Sequence, residues 1–309
     1  YVPNMDLSTL NVSQFPNLEV LDCSGNNLTT LNLSSNTKLK TLNCSENGLT
    51  SLNLSNNTKL ETLNCSDNSL TALNLYNNTK LIDVNCSNNN LTALSDIGRF
   101  ADLTTLTCYN NNLTSLNLSN NQKLQQLNCD NNELEGLDLH GNSALRYLRC
   151  KIKDGYELNL QGCINVQTLG VENVDNLDFA NFPKLRDITA TNCNTIIDLS
   201  ANTQLQYISV YDCGPTVVMP QSATYLRRID ARNVFYMNLE SVSKPDYGAR
   251  INTSYYVTEF PCAFKDLSFI APGIDMKRVK FTEGVRYNRT LSRYVVNKDA
   301  RKIRYTYND

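Results

Sequence analysis

LEVLDCSGNNL, residues 18–28, returns six more times along the chain. It reappears from Leu39 as LKTLNCSENGL and from Leu60 as LETLNCSDNSL, then again from Leu81, Leu103, Leu124 and Leu145. The steps are 21 residues, with a single step of 22 between Leu81 and Leu103. Self-similarity with a period of roughly 20 to 50 residues is the signature of a solenoid or array. Between copies lies a quieter version of the same phrase, Leu28-x-x-Leu31-x-Leu33-x-x-Asn36, with later versions starting at Leu49, Leu70, Leu113 and Leu134.

Both halves end in L-x-C or L-x-L, an alternation that turns two apolar side chains inward from an extended segment. No part of the first 240 residues carries an apolar stripe of helical period long enough for a helix. Successive coils are therefore expected to pair as parallel strands, about 4.8 Å apart. Two asparagine columns follow from the register. One holds Asn26, Asn47, Asn68, Asn89, Asn111 and Asn132; the other holds Asn36, Asn57, Asn78, Asn121, Asn142 and Asn202. A carboxamide turned inward both donates and accepts, so it can satisfy backbone groups where the chain bends. Further coils start at Val166, Leu185, Leu205 and Leu226, where Cys163, Cys193 and Cys213 replace ladder asparagines.

The phrase L-x-x-L-x-C-x-x-N-x-L resembles the leucine-rich repeat, with Cys where the third Leu usually stands, over roughly three quarters of the chain. Its alternating ten- and eleven-residue halves are similar to the nested IRREKO-type repeats of Bacteroidetes surface proteins. The resemblance implies a mainly β leucine-rich-repeat solenoid of flattened coils, with short parallel strands on two sides. About eleven coils are expected over residues 1–240, followed by a small β-rich cap or accessory domain over 241–309.

Charge supports that division. Residues 1–240 carry 15 basic and 23 acidic side chains, and the remaining 69 carry 13 and 7. The tail is also dense in Tyr and Phe, and SRYVVNKDARKIRYTY reads as a β-hairpin turning at Asn297-Lys298-Asp299. Seven of the eleven cysteines (Cys23, Cys44, Cys65, Cys86, Cys108, Cys129 and Cys150) share one repeat position, so they are expected to stack inward as free thiols. No transmembrane run or signal peptide occurs, and a start at Tyr1 suggests a processed or trimmed form.

Catalysis would need a positioned base, nucleophile or metal. The single histidine, His140, stands where other coils have Ser or Tyr and is expected in solvent. Asp178, between Leu177 and Phe179, is expected to point outward from a strand rather than form a carboxylate pair with Asp175. No cofactor, metal or nucleotide motif is visible. MKRVK at 276–280 and ARKIR at 300–304 are basic, but an acidic solenoid repels phosphate, so no nucleic-acid partner is expected.

The outward side chains of each first strand tell more. Early coils place Thr41 and Asn43, Thr62 and Asn64, Thr105 and Thr107, or Gln126 and Asn128 there. Later coils change to Arg146, Tyr147 and Arg149, then Arg186 and Asp187, then Tyr207, then Arg227, Arg228 and Asp230. A repeat needs none of these to fold, and Arg and Tyr are enriched at binding hot spots. They are the expected contact residues of a non-enzymatic recognition or adhesion module for a protein or glycan. The resemblance implies a bacterial protein, secreted or at the cell surface; it is expected to be a monomer, with the tail capping the solenoid or tethering it to the envelope. The alternative is an effector with activity in the tail, where Cys262 is the sole thiol, and the repeats as substrate-binding arm.

Overall fold

The computed structural model describes residues 1–175, 177–193, 196–213, 216–220 and 225–232. Beyond these it describes 236–237, 250–257, 263–264, 277, 279–283, 285–288, 293–296 and 303–307. The chain forms two compact units, Tyr1–Val166 and Gln167–Asp309. The expected boundary near 240 and Cys262 both lie outside the described residues.

The first unit is built by stacking identical positions. Strands β1 (Val20–Asp22), β2 (Thr41–Asn43), β3 (Thr62–Asn64), β4 (Asp83–Asn85), β5 (Thr105–Thr107) and β6 (Gln126–Cys129) lie side by side in that order. On the second side β7 (Leu137–Asp138) follows, and β8 (Tyr147–Lys151) then pairs with β6. All first-side pairs are parallel and in repeat register, so Leu21, Leu42, Leu63, Val84, Leu106, Leu127 and Leu148 form one row. These side chains are buried, as is every one of the seven cysteines two residues further on. All seven are free thiols.

Most of the early strands close in a local turn. The Oδ1 of Asp22, Asn43, Asn64 and Asn85 accepts from the backbone N–H two residues ahead, at 3.1–3.2 Å. Such an Asx turn offers the backbone an alternative to the ladder. The chain then enters the left-handed region at Gly25, Glu46, Asp67, Asn88, Asn110 and Asn131, with φ between 49° and 63°. One residue later stands the first asparagine column. Asn68 shows its work: Nδ2 donates to the carbonyls of Cys44, Cys65 and Ser66, and Oδ1 accepts from Leu49 N–H.

The second column is half used. Asn57 Nδ2 donates to Leu33 and Asn36 carbonyls, 3.2 and 2.9 Å away. Its Oδ1 is buried without a hydrogen-bond partner, as are those of Asn36, Asn78, Asn121, Asn142 and Asn202. Where the column lacks Asn, the chain improvises. Cys163 donates its thiol to Leu139 O at 3.3 Å. Phe100 and Phe182, both fully covered, each close a 3-10 turn, Ile97–Arg99 and Phe179–Asn181. Paired strands on the second side are found at β7 and β9 (Leu158–Asn159), while coils before Leu137 run there as bends and turns.

In the second unit β10 (Thr168–Glu172), β11 (Asp187–Thr191), β13 (Tyr207–Tyr211) and β15 (Arg228–Arg232) pair in parallel. Between them in sequence run β12 (Ile197–Asp198), β14 (Thr216–Val218) and β16 (Tyr236–Met237), a parallel second side. These first-side strands have five residues, and Gly170, Thr189, Ser209 and Asp230 stand in the row of the early asparagines. Cys193 and Cys213 take the ladder position, with Cys193 N–H donating to Cys213 Sγ at 3.4 Å. Together these features make the molecule a leucine-rich-repeat β-solenoid with almost no helix.

Strand β17 (Arg250–Val257) pairs in parallel with β15. The remaining strands are β18 (Ala263–Phe264), β19 (Val279–Glu283), β20 (Val285–Asn288), β21 (Arg293–Val296) and β22 (Ile303–Tyr307). The expected hairpin does not form between β21 and β22. Strand β21 pairs antiparallel with β18 and β20, whereas β22 pairs antiparallel with β17 and β19. Alternation sets which face of a strand is buried, and pairing through β17 satisfies β22 without its sequence neighbour. The expected turn at 297–299 lies outside the described residues. A second correction concerns Asp178, which is no strand residue: it caps the Phe179–Asn181 turn, accepting from Ala180 N–H at 3.0 Å.

Candidate binding surface

In the first unit the outward positions form two rows. One runs Thr41, Thr62, Asp83, Thr105, Gln126 and Tyr147; the other runs Asn43, Asn64, Asn85, Thr107, Asn128 and Arg149. Most of the second row is already employed, because its asparagines hold the Asx turns. Arg149 can accept no such bond. It forgoes the turn, β8 runs on to Lys151, and its exposed guanidinium makes no ion pair among the described residues. Arg146 is likewise exposed and unpaired, with its backbone N–H fixed to Gln125 O at 2.8 Å. Tyr147 lies half-buried between them. His140 is exposed, its N–H held by Asp138.

The second unit aligns Asp187, Tyr207 and Arg228 in one row and Thr189, Ser209 and Asp230 in the next. Arg186, Gln206 and Arg227 precede these strands and are tied coil to coil. Gln206 N–H donates to Arg186 O at 2.7 Å and Arg227 N–H to Gln206 O at 2.8 Å. Arg186, Arg227 and Tyr207 are exposed. Asp187 is half-buried and accepts from Thr168 Oγ1 at 3.3 Å.

Asp230 is not a surface contact. Only 3% exposed, its carboxylate takes the Tyr211 hydroxyl at 3.1 Å and Arg228 Nη2 at 3.4 Å. A buried charge needs a partner, so Arg228 is partly committed to neutralising it. Of the expected contact residues, Arg146, Tyr147 and Arg149 are grouped on the first unit, and Arg186, Tyr207 and Arg227 on the second.

The sequence reading missed a hollow of about 260 Å³ lined by Arg186, Gln204, Gln206 and Tyr225. A signal was present. The residue before the first apolar position is Lys in five coils (Lys38, Lys59, Lys80, Lys123 and Lys184), Asn17, Asp102, Ala144 and Asn165 in four others, and Gln204 and Tyr225 here.

The buried thiols are chemically quiet. Burial pushes Cys23 up to about 11 and Cys86 up to about 12, and raises Cys44, Cys65, Cys108 and Cys129 as well. Thiols of that kind stay protonated, and the thiolate is the reactive form. Among the described residues no group of three or more His, Cys, Asp or Glu is placed to hold a metal. No described helix is long and apolar enough to cross a membrane.

No protein-family model and no curated protein matches the sequence. Solved structures do. The functional domain of InlJ from Listeria monocytogenes, which includes a cysteine ladder, is 25% identical over 97% of this chain and 80% of its own, with a TM-score of 0.66. The internalin InlF of the same species is 20% identical over 76% of this chain and 73% of its own, at 0.64. A plant peptide hormone receptor, RGFR1 in complex with RGF2, is 17% identical over 79% of this chain and 49% of its own, at 0.60.

Proposed function

We propose that the chain is a non-enzymatic recognition module, a bacterial surface or secreted leucine-rich-repeat protein of the nested 21-residue type. It displays a rigid outward surface to a protein or glycan partner. One observation carries this reading: Arg149 occupies a row in which Asn43, Asn64 and Asn85 each close a turn, and it stands exposed with no ion pair among the described residues.

Rigidity matters because a partner then pays little to order the surface it meets. Strand pairing holds Tyr147 and Arg149 in the first unit, and Tyr207 beside Arg228 in the second. A likeness to internalins and to a receptor crystallised with its peptide hormone favours recognition over catalysis. The β-rich tail would cap the repeats or fix them to the envelope.

The test is capture of ligands from protein and glycan arrays by the wild-type chain and by an Arg146→Ala/Arg149→Ala/Arg227→Ala variant. Loss of at least tenfold in affinity for one wild-type ligand is expected, at unchanged thermal midpoint. Equal retention of every ligand by both forms would remove the reading.

A further inference from the structure

The hollow in the second unit has a chemistry of its own. Arg186, Gln204, Gln206 and Tyr225 line it, and none of the four side chains makes a hydrogen bond, ion pair or ring contact among the described residues. Arg186 and Gln206 are set one strand step apart by the backbone bonds between their coils. Tyr225 is 62% exposed, so its ring presents an open face.

Each lining group selects something different. An unpaired guanidinium takes a planar oxyanion through two parallel bonds. A carboxamide donates and accepts, which matches a hydroxyl that also does both. Two of them side by side suit neighbouring hydroxyls. A phenol ring offers an apolar face with a polar tip, and the C–H face of a pyranose is its complement. Among the described residues no aliphatic or acidic side chain lines the hollow. A peptide anchor would want a desolvated apolar pocket, and a neutral sugar would leave the guanidinium idle. At about 260 Å³ the hollow sits just below the usual span of small-molecule sites, roughly 300 Å³ upward, which suits one sugar ring.

We propose that this hollow is a saccharide subsite for a hexuronic acid residue, with the carboxylate on Arg186, hydroxyls on Gln204 and Gln206, and the ring face on Tyr225. The proposal rests on the recognition reading and narrows it to one ligand class for the second unit.

Calorimetric titration of the full chain tests it. The probes are tetramers of galacturonic acid and mannuronic acid, the neutral galactose and mannose tetramers, and tetraglutamate. At least one uronate should bind. Its neutral counterpart and tetraglutamate should bind at least tenfold more weakly. Arg186→Gln and Tyr225→Ala should each weaken the uronate at least tenfold, and His140→Ala in the other unit should leave it unchanged. All three substitutions are at exposed side chains, and unchanged thermal midpoints would confirm folding. Failure of both uronates to bind, equal binding of tetraglutamate, or equal affinity of the Arg186→Gln variant would each overturn the subsite. A chain that still loses its array ligand through Arg146, Arg149 and Arg227 would keep the recognition reading while dropping this one.

Discussion

At the scale of single residues, the two asparagine columns look alike in sequence and differ in what they do. Asn68 makes four hydrogen bonds and Asn57 makes two, with its Oδ1 buried and unpartnered. Leaving a buried polar group unpaired costs about 1–3 kcal/mol, so removing Asn68 strands more partners than removing Asn57, whose Oδ1 holds none. Asn68→Ala should therefore destabilise by about 3 kcal/mol and Asn57→Ala by clearly less, read from urea midpoints. Glu46 is another case, since it adopts φ 53° at a place where neighbouring coils use Gly25, Asp67 and Asn88. Asn tolerates that conformation better, so Glu46→Asn should stabilise by about 0.5–1 kcal/mol in the same assay. The columns themselves were legible from the spacing. The difference between them was not, because the bend that places each carboxamide is set by backbone geometry that a one-letter pattern does not carry.

At the scale of elements, the early and late coils end their first-side strands differently. Asn43, Asn64 and Asn85 close turns after three residues, whereas the strands with Arg149, Thr189 and Ser209 in that row run to five; β5, with Thr107 there, still stops at three. The 3-10 turns were not foreseen, although Asp96-Ile-Gly-Arg-Phe100 and Asp178-Phe-Ala-Asn-Phe182 share a pattern. In both, a Phe fills the slot of an absent asparagine. Phe100→Ala should cost about 3–5 kcal/mol through the cavity it leaves, seen as a lowered urea midpoint. The β21–β22 hairpin failed because alternation identifies a face and not a partner. Burial of the cysteine column has a pH consequence. A thiol held neutral in the fold, at about 11 for Cys23 and about 12 for Cys86 against an ordinary value near 9, stabilises the fold fully below pH 9. That contribution is lost as pH rises from 9 through the folded values. Urea midpoints should accordingly stay level up to pH 9 and fall beyond it; a midpoint that rises above pH 9 would contradict the assignment.

At the scale of the molecule, architecture was readable because one phrase recurs and every copy makes the same demand. Function was readable only where copies depart from it. Arg146 and Arg149 stood out as departures from Thr and Asn filler, whereas Gln204, Gln206 and Tyr225 are ordinary surface types whose convergence appears only in three dimensions. Asp230 misled for the opposite reason: its register is outward, yet Tyr211 and Arg228 close over it. Every one of these outward assignments depends on consecutive coils stacking position upon position. Alkylation of the native full chain, followed by mass spectrometry at pH 8, reads that stacking directly. Cys23, Cys44, Cys65, Cys86, Cys108, Cys129 and Cys150 should remain unlabelled over hours and all react once urea unfolds the chain. Labelling of Cys44 or Cys65 within minutes under native conditions would contradict the account.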